Sequence, residues 1–215
     1  MQKLIRRTIA VAALAATTAI PASADVGLGA DVVNRYVWRG TDFGNAMSIQ
    51  PSISYSTETL EVGAWSSWAV NDGAANENDL YLSFNAGPVS LTLTDYFFPA
   101  AAPADFFNYS DEDGIHIIEV SAGLDLGTGS VMGAINVLGD GENSLWLEAS
   151  LPLEALSSGD VDVGLTVGAG NGVYTTDTDP MVAQVSLDVS NDTYFGQYIL
   201  NPDAEISFLV VGRSF

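Results

Sequence analysis

The chain has 215 residues, with 27 acidic side chains against six basic ones, one histidine and no cysteine. Acidity of this order excludes binding through nucleic-acid phosphates, which takes clustered Lys and Arg, and it leaves no basic patch for anionic lipid. The missing cysteine excludes a disulfide framework and thiolate-bound metal, while 47% hydrophobic content is too high for a disordered acidic polymer.

The first predicted element is a targeting segment. Lys3, Arg6 and Arg7 precede an apolar stretch from Thr8 to Ile20, and Pro21-Ala22-Ser23-Ala24 follows. A basic start, a short apolar core and small residues at the cut site describe a Sec signal peptide over 1–24, cleaved after Ala24. Its apolar run is short of the roughly 20 residues that a bilayer-spanning helix needs. Beyond Ala24, Arg35, Arg39 and Arg213 face all 27 acidic residues, a formal charge of −24. Residues 25–215 are expected to form one domain.

From Asp25 onward there is no run of 18 apolar residues, so no transmembrane helix is expected. Apolar and polar residues instead alternate at period two in runs of about ten, separated by Gly, Asn, Asp, Ser and Pro. Twelve strands are predicted: 26–39, 46–57, 60–70, 79–86, 88–98, 114–126, 130–139, 143–151, 160–170, 181–190, 193–200 and 204–215. Val161, Val163, Leu165, Val167 and Ala169 share one face of their run, with Asp162, Gly164, Thr166, Gly168 and Gly170 on the other. Met181, Ala183, Val185, Leu187 and Val189 likewise oppose Gln184, Ser186, Asp188 and Ser190.

Such strands separate two media. A soluble sandwich buries its apolar face, whereas an outer-membrane barrel turns it to lipid; alternation alone fits both. The connections favour the second. Longer loops such as 40–45, 71–78, 99–113 and 171–180 alternate with tight turns at 58–59, 87, 127–129 and 191–192, as in barrels with long extracellular loops and short periplasmic turns. Segment 152–159 is longer than that rule allows.

The last run ends on Phe215, in parity with Val211 and Leu209. An aromatic terminal strand of this kind is the signal that the outer-membrane insertion machinery reads. Arg213 shares the face; an outward Arg costs about 2–4 kcal/mol at the bilayer midplane but about 0–1 near the interface, which it can reach by snorkelling. The expected fold is therefore all-β, a closed antiparallel transmembrane β-barrel of about 12 strands, with 10 or 14 as alternatives, in the bacterial outer membrane.

Asn34-Arg35-Tyr36-Val37-Trp38-Arg39-Gly40 resembles the early Arg-Tyr-x-x-Arg-Gly strand of the TorF-like outer-membrane porin family. The order of later segments is similar too: Ser48-Ile49-Gln50-Pro51, Val62-Gly63-Ala64-Trp65, Glu77-Asn78-Asp79-Leu80-Tyr81, Thr94-Asp95-Tyr96-Phe97-Phe98-Pro99, Asn108-Tyr109 and Asn201-Pro202. The resemblance implies a β-barrel with a pore role. It brings no catalytic residues and no defined substrate.

Several side chains are singled out on this reading. If Tyr36 and Trp38 meet lipid, Arg35 and Arg39 point into the lumen with Asp31; Glu61, Glu119 and Asp125 join them as candidate constriction residues, since rings of charge select ions. The alternative is a salt-bridge network filling a closed interior. Tyr36, Trp38, Tyr96 and Phe97 are expected in the aromatic girdle at the water–lipid boundary. Asp95 falls on the apolar parity of its strand, which implies a bulge or an early strand end.

His116 shares a face with Ile118, Val120 and Leu124, and is expected to be a surface or interface histidine. No nucleophile accompanies it, so no enzymatic role is expected. Asp111-Glu112-Asp113-Gly114 and Asp177-Thr178-Asp179 lack calcium-loop spacing and read as solvated acidic loops. No metal or cofactor is expected. The expected partners are outer-membrane lipid, the insertion machinery and small hydrophilic solutes or ions. A cation-preferring diffusion pore and a plugged, non-conducting barrel with a structural or surface-interaction role are the two functional expectations.

Overall fold

The computed structural model describes residues 24–71, 75–99, 105–110 and 114–215; residues 1–23 of the expected signal peptide and the acidic stretch 111–113 lie outside them. Fourteen strands follow in chain order: β1 (Asp25–Val33), β2 (Val37–Trp38), β3 (Thr41–Asp42), β4 (Ser48–Ser56), β5 (Leu60–Ala69), β6 (Glu77–Ala86) and β7 (Val89–Phe97). Then come β8 (His116–Asp125), β9 (Ser130–Leu138), β10 (Leu145–Pro152), β11 (Asp162–Gly172), β12 (Thr178–Ser190), β13 (Tyr194–Asn201) and β14 (Ile206–Ser214). β1 pairs antiparallel with β4, β4 to β14 pair antiparallel in chain order and β1 closes on β14, giving a barrel of 12 strands, while β2 and β3 pair only with each other.

Asp31 to Val33 pair with Ser214 to Gly212 at the seam. Beyond them, Phe215 and Ala30 exchange backbone hydrogen bonds of 3.0 and 3.4 Å. At the opposite end of the seam, the Asn34 side chain takes over the ladder. Its amide donates to the Leu209 carbonyl at 3.0 Å and its oxygen accepts from Val211 N at 2.7 Å. The Asn34 side chain thereby carries the partnering of the β14 edge back to Leu209, where an unpaired edge is a liability.

The pleat sorts the side chains by medium. Val26 and Leu28 on β1 are 68% and 76% exposed. Ile53, Val62, Leu82, Leu91, Val120, Val131, Leu147, Val167, Leu187, Tyr198 and Leu209 continue an exposed apolar wall through every other barrel strand. Ser48, Gln50, Ser67, Glu77, Asp79, Glu119, Asn136, Gln184 and Ser186 are buried on the inner face. This is the reverse of a soluble barrel, whose apolar face fills the core. A soluble monomer also rarely exposes an apolar patch beyond a few hundred Å².

Three register shifts modify the ladders. One lies between β8 and β9, at Ile118 and Glu119, and one between β11 and β12, at Gly170 and Gly172. The third, also between β11 and β12, lies at Gly168 and Ala169. It turns Ala183 into the barrel, fully buried against Trp146 and Tyr174, while Val182 stays outside. The single apolar face expected for Met181 through Val189 is thus interrupted at Ala183. No such shift occurs in β7, which runs unbroken to Phe97.

The main departure from the expected first strand comes after Val33. Residues 34–47 leave the wall, and β2 and β3 pair as a short ribbon, Val37 with Asp42 and Trp38 with Thr41. Its two-residue turn is Arg39-Gly40, with φ of 49° and 75°. Positive φ at both central positions is the mark of a type I′ hairpin turn. The ribbon folds into the barrel: a Cβ at Gly40 would sit 2.0 Å from the Ala183 carbonyl oxygen, and Asn201 Nδ2 donates to the Gly40 carbonyl at 3.0 Å. Only a glycine permits that approach.

Candidate functional site: an occluded lumen above an acidic vestibule

Arg39, at the tip of the ribbon, anchors the occlusion. It is 6% exposed and meets Glu119 of β8 through two bonds, Nη1 to Oε2 at 2.5 Å and Nη2 to Oε1 at 3.0 Å. Nη1 also donates to the Tyr174 hydroxyl at 2.6 Å. The guanidinium lies over three rings, with its carbon 4.2 Å from the Trp38 centroid, 5.0 Å from Tyr174 and 5.4 Å from Trp146. Burial opposes the charge of Arg39, but the hydrogen bonds and attraction of Glu119 outweigh it and raise its pKa.

The remaining partners of Glu119 are aromatic hydroxyls: Tyr174 donates to it at 3.1 Å and Tyr96 at 3.2 Å. Tyr174 stands in the connection after β11. Burial, countered by Arg39 and reinforced by Glu119, pushes its hydroxyl up to about 12, so it is a neutral donor. Trp146 fills the lumen beside it because β11 offers no side chain there; a Cβ at Gly168 would lie 2.1 Å from the indole ring.

The ribbon packs along its length. Tyr36 contacts Phe43 and Trp65, with centroids 4.9 and 5.4 Å apart, and Trp38 contacts Tyr96 and Tyr174 at 5.3 and 5.8 Å. Burial, then the nearby Glu77 and Asp79 carboxylates, hold the Tyr36 hydroxyl well above its ordinary range. Arg35 pairs with Asp42 at 3.4 Å, hydrogen-bonds Asn45 and lies 5.4 Å over the Phe208 ring. Ile199, Phe208 and Val210 of β13 and β14 form an apolar inner patch against which Val37 packs. A cavity of 180 Å³ survives between Trp38, Phe43, Tyr96, Asn136 and Tyr174.

Three of the four expected girdle residues are therefore inside. Tyr36 and Trp38 follow the ribbon inward, and Tyr96 has inward parity on β7. Only Phe97 faces outward, against Phe106 at 5.2 Å. For Tyr36 and Trp38 the expectation failed because it extended β1 through residue 39, which forced arginines and aromatics onto opposite faces, and for Tyr96 because that residue shares the inward parity of Thr92 and Thr94. In a ribbon surrounded by barrel wall, both faces are interior.

The six constriction candidates separate into two groups. Arg39 and Glu119 meet at the tip of the ribbon, and Arg35 lies in the same ribbon, paired with Asp42. Asp31 lies at the seam and Asp125 at the end that carries the termini, where its carboxylate accepts from Gly127 N at 2.7 Å. Glu61 accepts from the Tyr81 hydroxyl at 2.6 Å across the β5–β6 pair. That end holds a vestibule of 510 Å³ lined by Asp125, Asp162 and Asp188 with Ser130, Ser150, Thr166 and Ser190. Asp162, Asp188, Glu77 and Asp79 were not singled out from sequence; inward parity on adjacent strands was the available signal.

Outside the barrel, Asp95 and His116 form a pair on the apolar wall. Their Oδ1 and Nδ1 are 2.6 Å apart, and His116 Nε2 lies 2.8 Å from the Phe106 carbonyl oxygen, so Nε2 carries a proton. Tyr109 donates to Asp95 at 2.7 Å and stacks on His116 at 4.0 Å. Asp95 thus keeps the outward parity of its strand, and its cost is met by these partners. Residues 105–110 cover His116, which is 1% exposed; it is a buried loop anchor rather than an open surface residue.

At the ribbon end, Asp140 ties the connection after β9. It accepts from Asn136 Nδ2 and Ser144 N, both at 2.9 Å, and from Glu142 N at 3.1 Å. Burial would raise its pKa, but the Ser144 and Asn136 hydrogen bonds win and hold it below the ordinary carboxylate value.

Comparison of the chain with protein-family models, with curated proteins and with solved structures returns no match.

Proposed function

We propose that the chain is a bacterial outer-membrane barrel of the porin type, closed at rest by its own ribbon. The observation that carries this reading is the inverted sidedness, an apolar wall outside and a polar interior, which lipid rewards and water does not. With the termini at the periplasmic end, the ribbon and the longest connections fall on the extracellular side. The resemblance to the TorF-like porins favours the pore role. The acidic vestibule then opens to the periplasm.

Closure follows from the packing. At the ribbon level, buried inward side chains come from β1, β4, β5, β6, β8, β9, β10, β12, β13 and β14. Hydrated solutes pass only when the ribbon moves. Once it does, Asp31, Glu61, Glu119, Asp125, Asp162 and Asp188 set a negative interior potential, which concentrates cations and is screened over ~8–10 Å at physiological salt.

Val33 and Ser48 are register partners, so a two-residue Asn-Gly turn can replace residues 34–47 and keep the wall intact. In planar bilayers the native chain should conduct weakly or not at all. The ribbonless variant should give steady, cation-preferring currents whose selectivity fades near molar salt. A wide native pore would refute closure, and anion preference in the variant would refute the charge argument. The apolar Ile199–Phe208–Val210 patch favours a second reading, a permanently plugged barrel with a structural role; silence of the ribbonless variant would select it.

A further inference from the structure

Two carboxylates inside the barrel have no cation. Glu77 and Asp79 project inward from β6, 1% and 7% exposed, and Glu77 Oε2 and Asp79 Oδ1 are buried without a hydrogen-bond partner. Beyond residue 24 the sequence supplies three arginines and no lysine. Arg39 is committed to Glu119 and Arg35 to Asp42, while Arg213 lies outside over the Phe215 ring. The one histidine is outside as well, bound to Asp95. An ionised carboxylate in such a place is strongly unfavourable unless a counter-charge accompanies it.

A serine and a glutamine continue the row from Glu77, and Trp65 and Tyr96 are the register partners of Asp79. Ser67 is the register partner of Glu77 and accepts from Gln50 Nε2 at 3.3 Å, which sets Gln50, Ser67 and Glu77 in a row across three strands. The Tyr36 ring of the ribbon packs on Trp65, the register partner of Asp79, at 5.4 Å. Every atom of the group able to ligate a metal is oxygen, since the Gln50 amide nitrogen has no free lone pair and donates to Ser67. Two negative charges match a divalent ion, and the absence of nitrogen and sulfur donors disfavours zinc. Calcium takes six to eight oxygens in flexible geometry, whereas magnesium demands a near-ideal octahedron and retains water.

We propose that Glu77 and Asp79 bind a calcium ion inside the barrel, with Tyr36, Gln50 and Ser67 around it, and that the ion fastens the ribbon to β6. The inference rests on the interior position of the ribbon and holds for a gated or a permanently plugged barrel alike.

The test uses the full mature chain, refolded in detergent, stripped with EDTA and titrated with CaCl2. One saturable Ca²⁺ site per chain is expected by calorimetry, with a rise of roughly 5–10 °C in the midpoint of heat-induced barrel opening at about a hundredfold excess over Kd. Glu77→Gln and Asp79→Asn should each weaken Ca²⁺ binding at least tenfold, and Zn²⁺ should not substitute. Tb³⁺ read on the native chain needs no variant: its emission should be sensitised by Trp65, the register partner of Asp79, and quenched by added Ca²⁺. No saturable Ca²⁺ binding, or undiminished binding in the double variant, would overturn the site. A double variant more stable than the native chain in EDTA, with native Ca²⁺ binding absent, would show that the two carboxyls share a proton instead.

Discussion

Arg39→Gln is the sharpest single perturbation of the occlusion. It deletes both bonds to Glu119, the bond to Tyr174 and the contacts with three rings, and leaves Glu119 buried. Breaking a buried pair from one side costs about 3–5 kcal/mol, and a desolvated cation–π contact adds up to about 2. The hydroxyls of Tyr96 and Tyr174 still donate to Glu119, so the lower part of that range applies, near 3–4 kcal/mol. Because β1 and β4 pair along the whole of β1 without help from the ribbon, the loss falls on ribbon docking rather than on the barrel. At 1.4 kcal/mol per tenfold, the undocked population should rise by roughly a hundredfold to a thousandfold. Hydrogen exchange reads this directly at Phe43 N, bonded to the Tyr36 carbonyl, and at Ala75 N, bonded to the Phe43 carbonyl. Their protection should collapse while that of the wall strands persists. The double variant Arg39→Gln/Glu119→Gln should recover part of it, since no uncompensated charge remains. Unchanged ribbon exchange in Arg39→Gln, or uniform loss across the wall, would refute the assignment of this pair as the anchor.

Other outcomes follow from the same geometry. Deleting Phe215 removes the backbone exchange with Ala30 beyond a short seam; the folded, heat-modifiable fraction should fall while export persists, and normal assembly would refute the seam argument. His116→Ala strips Asp95 of its imidazole partner and frees the Phe106 carbonyl, so limited proteolysis within 105–110 should accelerate roughly tenfold or more, with the barrel core resistant. The depressed pKa of Asp140 means that its contribution to the loop is fully present above the ordinary carboxylate value and is lost as pH falls through its lower, folded-state value. Protection of the Glu142 and Ser144 amides should therefore drop in acid in the native chain, and lie low and flat with pH in Asp140→Asn.

Strand number and sidedness were legible in the sequence because a two-residue period is local: Val161 through Gly170 show which side chains share a face before any partner strand is known. The turns were legible for the same reason, since Gly87 and Asn191-Asp192 break the alternation where they stand. Whether the apolar face met a core or the outside was not local. It was decided by closure of β1 on β14, which leaves one face no partner but the surroundings. The ribbon was hidden because Tyr36-Val37-Trp38 alternates with Arg35 and Arg39 as a strand would, and Arg-Gly is an uncommon type I′ turn. Its place inside the barrel depends on a glycine at position 40 facing Ala183, and on Glu119, 80 residues away, as the partner of Arg39. Asp95 and Ala183 teach the same lesson from opposite sides. The apolar parity of Asp95 implied a bulge or an early strand end, yet β7 runs unbroken and Asp95 stays outward on its partner His116; parity placed Ala183 outward as well, and one bulge reversed it. Period-two patterning specifies faces, whereas the filling of the lumen is set by contacts between residues far apart in the chain.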